Sequence, residues 1–395
     1  MPVKPSHIFG KRKLLRLMSA AVVLLALAGL VLRPSEAVTA AKDGLLMCFN
    51  VIMPSLFPFF VLSSMVVELG LVRYIGFALE RVMRPLFRVS GACAAAVALG
   101  FIGGYPTGAR TAISIYEKKL CSKTEVERLL AFCNNSGPAF ILGVVGAGVF
   151  SSSLAGILLY LCHIFASFAV GIVMRFYKRN EPASGGGRYA FSTAGLGDAF
   201  VLSVKSALSS TLGICAFVVF FTVAIGMLMQ FGIIPFFAGI FGGILAPFGL
   251  DASTIEQLIT GLIEVSSGVW TLQDAAGGIR TQLALAAFML GWAGLSVHCQ
   301  VLSFIGKSGL SAKTYVAGKF LHGIISAALV WAVSGLFNFS APVSAYLVEQ
   351  LDGLNSLNFT AALTLSLGAS ALLILLFSVP LFIDFCKNRW KSRGM

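Results

Sequence analysis

The run Phe132-Cys133-Asn134-Asn135-Ser136-Gly137-Pro138 is polar and helix-breaking, yet it sits inside a stretch, residues 126–150, otherwise apolar and long enough to cross a bilayer. In lipid every backbone N–H and C=O must find a partner, so interrupted backbone at membrane depth survives only where protein buries it or where it lines a polar cavity. A shorter companion, Gly103-Gly104-Tyr105-Pro106-Thr107-Gly108-Ala109-Arg110, precedes it. The pair points to a binding site made from broken helices. A plain proline kink between two ordinary helices is the competing reading, because membrane helices tolerate Gly and Pro.

Composition limits what surrounds these breaks. Of the 395 residues 57% are hydrophobic and 11% charged, far below the roughly 25% charged residues of a soluble domain. The chain therefore reads as an all-α polytopic membrane protein. Its formal net charge of +13 would suggest nucleic acid in a soluble protein, but membrane proteins gather Lys and Arg in cytoplasmic loops for topological reasons. No nucleic-acid partner is expected; lipid is. The eight cysteines lack C-x-x-C spacing and the four histidines are scattered, so neither a metal site nor a disulfide framework is indicated.

In chain order, Lys11, Arg12, Lys13 and Arg16 precede an apolar run, 17–32. It reads as an uncleaved first span, with a cleaved signal peptide as the alternative. A second span covers 46–69. Residues 72–90 alternate Arg73, Arg81, Arg84 and Arg88 with large apolar residues, the pattern of a helix lying in the interface plane. The apolar segment 91–116 has basic residues on both sides, so both of its ends belong in the cytoplasm. It should be a re-entrant hairpin with Gly103 to Gly108 near its tip; a plain span with a short return helix is the alternative. Residues 126–150 and 154–174 then cross and return, and Ser184-Gly185-Gly186-Gly187 marks a linker.

The second half repeats the plan. A span at 207–229 leads to an amphipathic stretch at 231–250. A hairpin at 253–272 is interrupted at Glu264-Val265-Ser266-Ser267-Gly268, and a span at 281–305 is broken between Gly291 and His298. Spans at 315–335 and 363–385 and a basic tail complete it. With the amino terminus inside, all but Arg33, Lys42 and Arg280 of the cations assigned to loops fall on the cytoplasmic side, Lys313 and Lys319 included. That asymmetry supports eight spans plus two hairpins entering from opposite faces, an inverted repeat of the kind secondary transporters use around a midplane site. The expected units are 1–44, a first span and loop; 45–175, a first repeat; 176–205, a cytoplasmic linker; 206–336, a second repeat; and 337–395, an outer segment, last span and cytoplasmic tail.

Half-helix N-termini suit an anionic group. Tyr105, Thr107, Asn134, Asn135 and Ser136 in one half, and Ser266, Ser267, Trp270, Ser296, His298 and Gln300 in the other, offer neutral donors and acceptors. Tyr105 and Trp270 are candidates to stack on a planar ring. Arg110 and Glu264 are the two charges placed to matter. Arg110 equally suits a topology-setting loop cation, Glu264 a cap on its own break, and His298 a satisfied core histidine. No nucleophile with its base, metal-activated water or phosphate loop is present, so neither an enzyme nor a cofactor is expected.

The run Gly100 to Arg110, the segment Ser122 to Leu130, and Phe132-Cys133-Asn134-Asn135-Ser136-Gly137-Pro138-Ala139-Phe140-Ile141-Leu142-Gly143 resemble the YlbJ-type sporulation integral membrane proteins, which carry nucleoside-recognition (Gate) domains. The resemblance spans about 45–385. It implies Gate-type repeats, a fold similar to concentrative nucleoside transporters, and movement of dipicolinic acid from mother cell toward forespore across the outer forespore membrane. A nucleoside carrier and a non-transporting scaffold of the spore envelope are the alternatives. Both termini are expected in the cytoplasm; oligomeric state, coupling ion and partner proteins are left open.

Overall fold

The computed structural model describes residues 6–181, 195–246, 249–274 and 278–337, all within the unit Met1–Phe339. The Ser184-to-Gly187 stretch of the expected linker, the last span and the basic tail lie outside these residues, whereas residues 196–205, also expected in the linker, are helical. No strand occurs among the described residues, and the exposed side chains include long apolar series such as Val22, Leu24, Leu25 and Val31. Such surfaces suit acyl chains rather than water. This is an integral membrane protein.

Helix α1 (Ser6–Leu32) is followed after Arg33 by α2 (Pro34–Met47), the apolar parts of the two meeting at a 99° bend. Pro34 opens α2 because a first-turn proline forfeits no hydrogen bond. A π-helical turn, Cys48–Ile52, continues into α3 (Met53–Glu68). Helix α4 (Val72–Phe87) is the expected amphipathic element. It buries Met83 and Phe87, exposes Arg81 and Arg84, and ends on Arg88 in a left-handed conformation.

The segment expected to re-enter is two short helices, α5 (Ala94–Gly103) and α6 (Thr107–Glu117), joined at Gly104, whose φ of 67° and ψ of −165° only glycine adopts freely. Ser122 and Glu125 form a reciprocal cap that starts α7 (Lys123–Cys133). Residues 134–138 interrupt the chain, which resumes as a π-helical segment, Ala139–Val149, and returns as α8 (Ser153–Met174). The second half runs through α9 (Leu196–Gln230), α10 (Ile233–Leu245), the interrupted pair α11 (Ala252–Ile263) and α12 (Val265–Trp270), the broken span α13 (Ile279–Trp292) and α14 (Gly294–Ser308), and α15 (Ala312–Ser334).

Among the described residues four helical stretches are long and apolar enough to cross a membrane unaided: Ser153–Met174, Leu196–Gln230, Ile279–Gly306 and Ala312–Ser334. The 126–150 crossing is divided between α7 and Ala139–Val149, each too short alone. The two halves interleave in the core. One apolar cluster joins Ala96, Leu99 and Leu129 to Val297, Val301 and Ile305; another joins Phe140, Ile141 and Leu159 to Val265, Leu283 and Leu290.

Candidate functional site

The four interruptions pack in two equivalent pairs. In the first half Gly104 lies against Gly137, where a Cβ on Gly104 would stand 3.0 Å from the Gly137 nitrogen. In the second half Gly294 lies against the other hairpin break, with a Cβ 2.9 Å from the Val265 nitrogen and 3.3 Å from the Glu264 Cα. Each hairpin break thus touches a span break, backbone to backbone, which only glycine permits at such separations.

All four breaks open on one cavity. Gly103, Gly104 and Tyr105 line it from the first hairpin, Ser136 and Gly137 from the first broken span, Glu264, Val265 and Ser266 from the second hairpin, and Ser296, Val297 and Gln300 from α14. Ile52, Leu56, Phe60 and Val218 of the flanking helices make its apolar wall. About 630 Å³ of atom-free space lies between these residues, the open mouth included. The starts of Ala139–Val149 and α14 contribute Ala139, Phe140, Ser296 and Val297 to its lining, so the electropositive ends of two half-helices face the cavity.

Several polar groups freed at the breaks find specific partners. The Phe132 carbonyl accepts from Asn135 Nδ2 at 2.8 Å and from Ser167 Oγ of α8 at 2.7 Å. The Ser136 amide donates to His163 Nε2 at 3.2 Å, and the Asn134 carbonyl accepts from Lys319 Nζ of α15 at 2.8 Å. In the second half Glu264 caps α12 by accepting from the Ser267 amide at 2.6 Å, and Ser296 Oγ donates to its other oxygen at 3.5 Å. Trp292 Nε1 donates to the Leu262 carbonyl at 3.1 Å. The Tyr105 hydroxyl reaches across the halves to donate to the Leu290 carbonyl.

The candidates from the sequence divide accordingly. Tyr105, Ser136, Glu264, Ser266, Ser296 and Gln300 line the cavity together. Asn134 is fully buried beside it, and neither polar atom of its side chain has a hydrogen-bonding partner. Asn135 serves as a cap on α7. Thr107 opens α6 against Gly103, Ser267 pairs with Thr222 Oγ1 at 3.3 Å, and His298 Nδ1 pairs with the Tyr315 hydroxyl at 3.0 Å. Arg110 and Trp270 fall elsewhere. The Arg110 side chain is exposed over the Phe304 ring, 5.5 Å from its centroid, because Gly108 and the buried Ala109 turn one face of α6 to the end of α7 and Arg110 falls on the outer face. Trp270, at the end of α12, is 38% exposed and does not reach the cavity, so it cannot stack there with Tyr105.

Lys319 requires a correction. Grouped with cytoplasmic loop cations by charge placement, it is fully buried in the middle third of α15 and bonded to the first break. His163 and His322, equally buried, escaped notice in the sequence. A lysine and a histidine at i and i+3 within an apolar helix was the available signal, since an ionisable group at membrane depth is functional by default. Among the described residues no group of His, Cys, Asp and Glu is arranged to hold a metal ion.

Sequence and structure comparisons agree on what kind of molecule this is. The nucleoside recognition (Gate) family model matches residues 49–179. The sporulation integral membrane protein YlbJ of Bacillus subtilis (strain 168) is 30% identical over 336 residues, 80% of this chain and 82% of that one. The chain belongs to the YlbJ family. Solved structures extend the likeness to the fold of this YlbJ-family protein. A variant of the concentrative nucleoside transporter CNTnw in the intermediate 3 state aligns over 86% of this chain and 89% of its own with a TM-score of 0.51 and 16% identity. CNTnw in an inward-facing substrate-bound state aligns over 81% and 86%, with a TM-score of 0.51 and 14% identity. At such identity the likeness of the YlbJ-family chain to these structures concerns the fold alone.

Proposed function

We propose that this protein moves a small aromatic dicarboxylate, dipicolinate, from mother cell to forespore during sporulation, in the outer forespore membrane and with both termini in the cytoplasm. The observation that carries the reading is the single cavity onto which all four helix breaks open. Half-helix amides and the unpartnered hydroxyl of Ser136 supply donors without a fixed countercharge in the lining. A planar ring fits against Ile52, Leu56 and Phe60 while its carboxylates take the donors. Glu264 accepts from the Ser267 amide as the cap of α12, so its oxygens point to the start of that helix. The unpartnered amide of Asn134, buried behind Ser136, forms the inner contact set once the break moves. The proposed organisation is two Gate-type repeats, 45–175 and 206–336, joined by a cytoplasmic linker, 176–205.

A nucleoside is the second reading, favoured by the description of the family model that matches 49–179. It would use the same donors and apolar wall. Two measurements test the proposal. Spores of a deletion strain should contain little dipicolinate, and purified protein in liposomes should take up labelled dipicolinate in preference to nucleosides. Normal spore dipicolinate would end the first reading; uptake confined to nucleosides would install the second. Loss of neither, with the protein present at the envelope, would leave a scaffold.

A further inference from the structure

Lys319, His322 and His163 form a chain of buried ionisable groups running from one half to the other. Lys319 Nζ lies 2.8 Å from the Asn134 carbonyl and 3.2 Å from His322 Nδ1; His322 Nε2 lies 2.9 Å from the His163 carbonyl; the Ser136 amide lies 3.2 Å from His163 Nε2. The two imidazole centroids are 4.3 Å apart. His163 and His322 are each the eleventh residue of their helix, α8 and α15, the closing spans of the two halves.

The hydrogen-bond partners fix where the protons are. A carbonyl only accepts, so His322 carries its proton on Nε2 and keeps a lone pair on Nδ1 for the Lys319 ammonium. A backbone amide only donates, so His163 keeps its lone pair on Nε2 and its proton on Nδ1, which has no partner. Among the described residues no carboxylate comes within ion-pairing distance of Lys319. The groups facing it are Cys133 of α7, the Tyr105 ring 5.4 Å away, and His163 of α8; on its own helix stand His322 and Tyr315, the latter bonded to His298 of α14. Helix α13 brings only Arg280, stacked on Trp331 near the other end of α15.

We propose that these three residues form a proton-binding site that holds the 134–136 break closed and releases it when one more proton is bound. The added proton sits on His163 Nε2, the lone pair that the Ser136 N–H now uses; His322 Nδ1 stays taken by the Lys319 ammonium within α15. Protonation of His163 breaks the hydrogen bond that ties the break to α8, and loss of the proton restores it. Free carbonyls at half-helix ends commonly hold the coupling cation of secondary transporters; here the Asn134 carbonyl is taken by an ammonium of the chain itself. Resting on the transport reading, this makes the coupling cation a proton and predicts that sodium is dispensable.

The decisive variant is His163→Gln, whose side-chain oxygen still accepts from Ser136 but does not titrate. Amide hydrogen exchange is followed on the full chain in nanodiscs, without substrate, across pH 4–8, a window that reaches below the range in which exposed imidazoles change charge, and corrected for the intrinsic pH dependence of exchange. In the wild type, protection of residues 132–138 should fall about tenfold or more on acidification; in His163→Gln it should not respond, and in Lys319→Met it should be low throughout. Protection that ignores pH in the wild type, or falls equally in His163→Gln, overturns the proposal. In liposomes with the membrane potential clamped, an inwardly directed proton gradient should raise dipicolinate accumulation up to about tenfold per pH unit, for one proton carried. Accumulation that needs sodium or ignores the gradient overturns the coupling. Acid-released protection with no dipicolinate uptake leaves the proton site standing and rejects dipicolinate as substrate.

Discussion

Gly108 rests on the carbonyl of Cys133, so closely that a Cβ at Gly108 would lie 2.0 Å from that oxygen. Gly100, on the other leg of the same hairpin, meets the same carbonyl, its Cβ position 1.7 Å away. The hairpin thus clasps the end of α7 with two glycines, and backbone cannot yield as a flexible side chain can. Gly108→Ala should cost about 3 kcal/mol or more, at the upper end of overpacking effects. Thermal unfolding in detergent should show a drop of many degrees, whereas Gly143→Ala, which meets nothing within 4 Å, should leave the midpoint in place.

Arg128 and Arg110 look alike in the sequence but should behave differently. Arg128 is 1% exposed and donates to the carbonyls of Arg88, Tyr177 and Lys178 at 2.7–2.9 Å. Arg128→Ala strips three part-buried acceptors of a charged donor and should destabilise by about 2 kcal/mol. Arg110→Ala removes an exposed cation–π contact worth about 0.5–1 kcal/mol and should leave dipicolinate uptake within about twofold. Expression level, melting midpoint and uptake measured together separate the two.

The neighbours Asn134 and Asn135 should also part company. Asn135→Ala removes a donor from the Phe132 carbonyl, which retains Ser167, so about 1 kcal/mol of stability should be lost. Asn134→Ala removes side-chain atoms that have no partner and should hold or slightly raise the melting midpoint. If Asn134 serves the proposed site, its uptake of dipicolinate should nonetheless fall at least about tenfold. Unchanged uptake in Asn134→Ala would exclude it from that site.

A reporter fused after Lys118 reads the side on which the first hairpin returns. Helix α6 ends at Glu117, and Lys118 and Lys119 follow in a turn. Cytoplasmic signal is expected there, with extracytoplasmic signal at a fusion in 151–152. The reverse at Lys118 would remove the re-entrant hairpin and the proposed orientation of the termini.

Much of this arrangement was legible one residue at a time. Glycine and proline in apolar runs marked all four interruptions, because helix breaking is a local property of the backbone. The arginine-studded 72–90 stretch declared its amphipathic helix through its pattern of apolar and basic residues. Arg110 was misplaced for the same reason these succeeded: proximity along the chain to Gly104 was taken for proximity in space, while Gly108 faces the end of α7 and Arg110, two residues on, falls on the outer face of α6. Lys319 was misplaced because its nearest basic neighbour, Lys313, is a boundary cation, and charge placement reads only distance along the chain.

By itself the sequence determined that the chain lives in lipid, where its helices break, and which family it joins, since hydropathy, backbone stereochemistry and motif are carried by consecutive residues. Only the tertiary structure decided that Gly104 meets Gly137 and Gly294 meets Val265, that the four breaks share one cavity, and that a lysine 185 residues beyond Asn134 satisfies its carbonyl. A freed backbone group must find a partner in lipid, but nothing in the local sequence says which distant side chain will be packed opposite it.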